Sequence, residues 1–131
     1  MFDLTKKITQ GIKGTLLVKD NGGFSHSGPW KTIVGETLVE RWYVGEISSA
    51  EFTIAVDLDI NNKEIVKLLV TNTANNANLV IYSRNYTNIQ LVDLSVVVNN
   101  SFCELYISTT NNKIEGAKFF YTTNYFLNQS N

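Results

Sequence analysis

Cysteine, histidine and proline each occur once among 131 residues, and no run is apolar enough for long enough to cross a bilayer. Each scarcity excludes a class of function. The lone Cys103 rules out an internal disulfide and a multi-cysteine metal centre. It lies in a strand-like run, so it is expected to pack as a small buried hydrophobe. His26 sits in "GFSHSG", which approaches the nucleophile-elbow pattern G-x-S-x-G without matching it. The stretch lies in a turn-rich segment rather than between a strand and a long helix, and no second histidine exists to serve as a base. His26 therefore reads as a polar loop residue. The longest apolar runs, such as Leu68-Leu69-Val70, are far below membrane-spanning length, so no membrane is expected as a partner. Lysine and arginine are scattered and the net charge is −1, so no cluster is available to neutralise a row of phosphates and no nucleic acid is expected. The opening "MFDLTKKITQGIKG" lacks the apolar core of a secretory signal. On that expectation the three sequons, at Asn85, Asn99 and Asn128, go unglycosylated.

What is present is asparagine in pairs. Asn61-Asn62, Asn75-Asn76, Asn99-Asn100 and Asn111-Asn112 punctuate the chain, with "RNYTN" at 84–88 splitting the longest gap. Asparagine tolerates positive φ and hydrogen-bonds its own backbone, which suits tight turns. The spacing is the strand cadence of a sandwich or barrel.

Between the turns the residues alternate. In "EFTIAVDLDI", Phe52, Ile54, Val56, Leu58 and Ile60 fall on one face, and Glu51, Thr53, Asp57 and Asp59 on the other. Val66, Leu68 and Val70 oppose Lys67; Leu94 and Val96 oppose Asp93 and Ser95; Leu105 and Ile107 join Cys103 against Glu104. Phe52, Ile54, Val56, Leu94 and Val96 are the expected core. Strands are expected near 12–19, 36–43, 50–60, 64–72, 77–84, 91–98, 101–109 and 116–126. "DNGGFSHSGPW" at 20–30 reads as a loop, and "DLTKKIT" as at most one helical turn. The expectation is an all-β, antiparallel two-sheet sandwich of about eight strands with jelly-roll or Greek-key topology. One domain is expected over 1–131, with 1–11 as a possible N-terminal arm.

Motifs for chemistry are weak. "DLDINN" opens like a calcium loop, but Asn62 stands where glycine belongs and Leu68 where a bidentate glutamate belongs. A solvated acidic face explains Asp57 and Asp59 better. Acidic residues are scattered with no selected pair, and no glycine-rich phosphate loop precedes a helix. No catalytic, metal or cofactor residue is assigned, and no enzyme is expected.

The aromatics point elsewhere. "FFY" at Phe119-Phe120-Tyr121 puts aromatic rings on both faces of one strand. A single sandwich core meets one face only, so the other is expected to need a partner. Phe119, Phe120, Tyr121 and Tyr125 are the candidate subunit interface, with trimers the first expectation. An alternative is a carbohydrate- or receptor-binding module whose sugar contacts come from Tyr82, Arg84, Asn85 and Tyr86.

From Trp30 to about residue 127, "WYVGEISSAEFTI", "KEIVKLLV", "YSRN", "VNNS" and "GAKFFYTTNYF" follow one another in an order that resembles small β-sandwich virion proteins of tailed phages of marine cyanobacteria. The pattern is also similar in style to the tumour-necrosis-factor-like jelly roll, whose modules trimerise through an aromatic face. The resemblance implies a non-enzymatic structural part of a virion, present in several copies beside other virion proteins and assembled in the host bacterial cytoplasm. It carries no catalytic position across, and it leaves capsid, neck and tail open.

Overall fold

The structure, a computed structural model, describes residues 22–129 together with the backbone of Leu16–Val18. The expected N-terminal arm and the "DLTKKIT" turn lie outside the described residues, as does most of the strand expected at 12–19. Ten strands are described: β1 (Leu16–Val18), β2 (Gly23–Ser27), β3 (Lys31–Thr32), β4 (Thr37–Tyr43), β5 (Ile47–Asp59), β6 (Asn62–Asn72), β7 (Ala77–Tyr86), β8 (Val92–Asn99), β9 (Phe102–Thr109) and β10 (Lys118–Leu127). All pairings are antiparallel. One sheet has the order β1-β2-β10-β5-β6-β7, with β3 also on β10; the other is β4-β9-β8. This is the expected all-β two-sheet sandwich.

The turn residues explain the order. Asp59 Oδ1 accepts from the backbone N–H groups of Asn61 and Asn62 at 2.8 and 2.9 Å, folding β6 tightly back on β5. Thr73 Oγ1 accepts from Asn76 N–H at 3.1 Å and closes the β6–β7 connection. Asn100 and Ser101 take φ of 51° and 72°, the two-residue hairpin conformation with positive φ at both positions, between β8 and β9. Strands β5, β6 and β7 are thus successive hairpin partners, and β10 returns from afar to lie beside β5. That order is a Greek key. The nested pairing of a jelly roll would place β8 on β5; here β8 pairs with β9 instead.

The core follows the alternation. Phe52, Ile54 and Val56 on β5 face Val66, Leu68 and Val70 on β6, and all six are buried. Cys103, Leu105 and Ile107 come from β9, Phe119, Tyr121 and Tyr125 from β10, and Trp42 from β4. Each fully buried side chain of this kind contributes roughly 1.5–3 kcal/mol by leaving water. The rings of Trp42, Phe52 and Tyr125 lie 5.5–6.1 Å apart in tilted and edge-on contacts. Trp42 Nε1 donates to Asn72 Oδ1 at 2.8 Å, and Asn72 Nδ2 donates to the Ile47 carbonyl at 2.8 Å. The buried indole N–H is thereby satisfied.

Three expectations are corrected. The 20–30 segment is not all loop: Gly23–Ser27 is strand β2, paired in register with β10 from Ser27↔Thr122 to Gly23↔Phe126. Phe24 and His26 point inward and are buried, while Ser25 and Ser27 point outward. Gly23 permits the close pairing, because a Cβ there would collide with the Tyr125 carbonyl oxygen. Second, the apolar face of β5 stops at Val56. A register shift between Asp57 and Asp59 leaves Leu58 half-buried and Ile60 86% exposed. Third, Leu94 and Val96 face inward but are only half-buried, because β8 is the edge of the three-stranded sheet.

Candidate functional site

Among the described residues two carboxylates are buried, and both have structural partners. Glu40 on β4 accepts from the Tyr121 hydroxyl on β10, and His26 Nε2 on β2 lies 3.3 Å from the same Oε2. Burial, and then the Glu40 charge, push the Tyr121 hydroxyl pKa far above the usual phenol value. Tyr125 is raised in the same direction by its own burial and by Glu40. Glu64 on β6 accepts from Arg84 and from the Leu91 backbone N–H, while Arg84 Nη1 also donates to the Val92 carbonyl at 3.0 Å. His26 is therefore an interior residue tied to the sheet-to-sheet contact, not the expected loop histidine. Burial, with Glu104 adding to it, pushes the Cys103 thiol up to about 12, so it packs as the expected inert hydrophobe. Asp59 is a turn cap, its carboxyl held below the usual range first by the Asn61 N–H and then by the Asn62 side chain. Asp57 pairs with Lys63 at 3.1 Å. Among the described residues, no three His, Cys, Asp or Glu side chains gather as a metal site.

The four residues expected at a subunit interface divide. Phe119, Tyr121 and Tyr125 are buried within this chain's own core and offer nothing to a partner. Phe120 lies on the opposite face of β10, half-buried, with its ring 5.6 Å from that of Trp30. Its partner comes from the connection before β3, so the "two-sided" aromatic strand is half satisfied inside the chain. Phe126, further along the same outer face, is exposed.

The four residues expected at a sugar site also divide. Tyr82 points outward and donates from its hydroxyl to Glu51 Oε2 at 2.8 Å. A register irregularity between β6 and β7 follows, where Leu68 pairs with Ile81 but Lys67 with Ser83. The extra residue inverts the alternation, and Arg84 turns inward to Glu64. Asn85 faces outward beside Ile65, and Tyr86 is half-exposed at the strand end. These four do not form one platform.

Two surfaces were only partly legible. The first is the side of the sandwich between β7 and β8, each an edge strand of its sheet among the described residues. Leu79 and Ile81 from β7 and Leu94, Val96 and Val98 from β8 line it, all partly buried. The apolar runs Leu79-Val80-Ile81 and Val96-Val97-Val98 signal it. The second is the outer face of the large sheet around Phe120. Cross-strand register places Phe120, Ala55, Ile65 and Asn85 in one row, and Thr122, Thr53, Lys67 and Ser83 in the next. A shallow groove of about 490 Å³ also opens at one end of the sandwich between Ile33–Gly35 and Asn111–Gly116; it contains no aromatic residue.

No family model matches the chain, and no curated protein matches it. Among solved structures, the chain is similar to the tailspike protein of Acinetobacter baumannii phage AM24, with a TM-score of 0.40 and 10% identity over 79% of this chain. It is similar also to the tailspike protein of Acinetobacter phage vB_ApiP_P1, with a TM-score of 0.41 and 11% identity over 87% of this chain. The chain spans about a quarter of each tailspike, 26% and 23%.

Proposed function

We propose that this chain is a non-enzymatic structural subunit of a tailed-phage virion, assembled with copies of itself and with other virion proteins in the host bacterial cytoplasm. Capsid decoration, neck and tail accessory positions all fit the reading. The observation that carries it is the open side between β7 and β8. There five aliphatic side chains are only partly buried beside two strand edges that no described strand pairs, the feature that soluble monomers suppress with charge, proline or cover. A symmetric neighbour would extend both sheets and close the core. The inward position of Phe119, Tyr121 and Tyr125 moves the expected contact from β10 to this side. The commitment of Glu40 and Glu64 to internal partners supports a role without catalysis.

Sedimentation velocity of the purified chain, with Ile81→Asp and Val96→Asp beside it, tests the reading. Association is expected at micromolar concentration for the native chain and should be lost in both variants while each still melts cooperatively. A native chain that stays monomeric and is absent from purified particles overturns it. A second reading, a saccharide- or receptor-binding module, draws its support from the outer face around Trp30 and Phe120.

A further inference from the structure

We infer that the outer face of the large sheet, across β10, β5 and β6, is a binding site for an anionic saccharide, with Trp30 and Phe120 as its stacking wall. This deepens the second reading above and is independent of the assembly reading. Trp30 is 50% exposed, and its ring meets Phe120 at 5.6 Å and 36°, so an aromatic surface faces solvent beside the sheet. Next in the row comes Ala55, whose single methyl lies between Phe120 and Ile65 and leaves a dip between two large side chains. The apolar C–H face of a pyranose ring fits against such a wall, as planar apolar rings do on exposed aromatics.

Polar groups surround the dip. Thr122, Thr53 and Ser83 line one side with hydroxyls, and Asn85 ends the aromatic row with an amide. These are the few oriented donors and acceptors that fix a sugar's hydroxyls. An extended peptide is disfavoured as the occupant: β10, β5 and β6 are interior strands, both sides of each already paired, so no free backbone is available for strand addition.

Charge decides the class of sugar. The two carboxylates on this stretch of the face are already engaged, Asp57 by Lys63 at 3.1 Å and Glu51 by the Tyr82 hydroxyl at 2.8 Å. Lys118 precedes Phe120 on β10, and Lys67 follows Ile65 on β6; both point outward and neither has an ion-pair partner among the described residues. Lys118 stands across from Asp57 in the register, which Lys63 already pairs, so three lysines (Lys63, Lys67, Lys118) face two carboxylates (Asp57, Glu51) and the face keeps an excess of positive charge. Lys67 and Lys118 flank the aromatic dip at diagonal corners, complementary to carboxylate or sulfate groups along a saccharide.

The test is titration of the native chain with oligogalacturonate, with a neutral dextran oligomer and a polyglutamate of matched charge as controls. Binding of oligogalacturonate at least tenfold tighter than of either control is expected. Trp30→Ala should weaken it at least tenfold, and Lys67→Gln with Lys118→Gln should weaken it and flatten its salt dependence. Tyr86→Ala, away from the row, should leave it unchanged. All the altered side chains are exposed, so thermal melts should match the native chain. Equal binding of polyglutamate, equal binding of dextran, or binding indifferent to Trp30→Ala overturns this site while leaving saccharide binding elsewhere on the chain standing. Failure to bind either saccharide overturns the saccharide reading as a whole.

Discussion

The Tyr121 hydroxyl on β10 and the Glu40 carboxylate on β4 hydrogen-bond across the interior and join the two sheets. His26 Nε2 is 3.3 Å from the same oxygen. Removing the carboxylate takes the acceptor away from the buried Tyr121 hydroxyl. Glu40→Ala should therefore cost about 1–3 kcal/mol, the penalty for leaving a buried polar group unsatisfied. Glu40→Gln keeps an acceptor for Tyr121 and should cost clearly less. Urea denaturation of both variants measures the difference; equal losses would assign the effect to packing alone.

High pH should weaken the fold. Tyr121, Tyr125 and Cys103 all have raised pKa values when folded, chiefly through burial. Below the ordinary thiol and phenol values of 9.0 and 10.0 they are protonated in both states, and their contribution is intact. Above those values the unfolded chain releases protons that the folded chain retains, so stability falls as pH rises. The decline should begin near pH 9 and continue toward about 12, where Cys103 ionises in the folded state as well. The buried Tyr125 hydroxyl, which faces Glu40, Tyr121 and Cys103, has no hydrogen-bond partner among the described residues. Tyr125→Phe should thus hold or raise stability at pH 7, by up to ~1 kcal/mol, and should soften the alkaline decline. Denaturation midpoints at pH 7, 9 and 10.5 test both statements. A flat native profile over that range would contradict the linkage.

Ile54 and Val96 should respond differently to truncation. Ile54 is fully buried at the centre of β5, and Ile54→Ala should cost roughly 2–5 kcal/mol through lost transfer energy and a residual cavity. Val96 lies on the half-covered side, so Val96→Ala should cost about 1 kcal/mol or less in the isolated chain. Under the assembly reading, the Val96 deficit should grow with protein concentration, because the native chain gains cover by associating. Thermal melts at two concentrations a hundredfold apart provide the check. A Val96 deficit independent of concentration would remove that side from the interface.

These contrasts mark where sequence reasoning succeeds. Ile54 is legible because β5 alternates inside and out from Ala50 to Asp57 without interruption. Strand β2 was hidden: five residues beside glycines carry only Phe24 and His26 as an inward signal. Of Phe119 and Phe120, only the one facing away from the core is expected to need an outside partner. Strand geometry sends them to opposite faces, and Trp30, ninety residues earlier, covers Phe120 in part. Strict alternation would put Tyr82 and Arg84, two residues apart, on one face. The irregularity opposite Lys67 and Leu68 breaks that rule, and Glu64 on the neighbouring strand receives the guanidinium. Local periodicity reveals which residues form strands. Bulges and long-range partners decide which face each side chain occupies.

Asn72 should be a keystone out of proportion to its size. It accepts from Trp42 Nε1 and donates to the Ile47 carbonyl, both at 2.8 Å, linking β6 to β4 and β5 at once. Trp42 is fully buried, so no solvent replaces the lost acceptor. Asn72→Ala should therefore cost about 1–3 kcal/mol, the penalty for leaving buried polar groups unsatisfied. Trp42→Phe removes the N–H and part of the ring but needs no acceptor. In that background Asn72→Ala should cost less, because only the Ile47 carbonyl remains to be deprived. The double-mutant cycle should yield a coupling of roughly 0.5–3 kcal/mol between residues 42 and 72. Trp30 remains as the fluorophore in the Trp42→Phe chains, but its exposure makes it a weak reporter, so circular dichroism should follow unfolding in all four proteins. A coupling indistinguishable from zero would mean that the indole is held by its ring contacts with Phe52 and Tyr125, and that Asn72 acts on β5 alone.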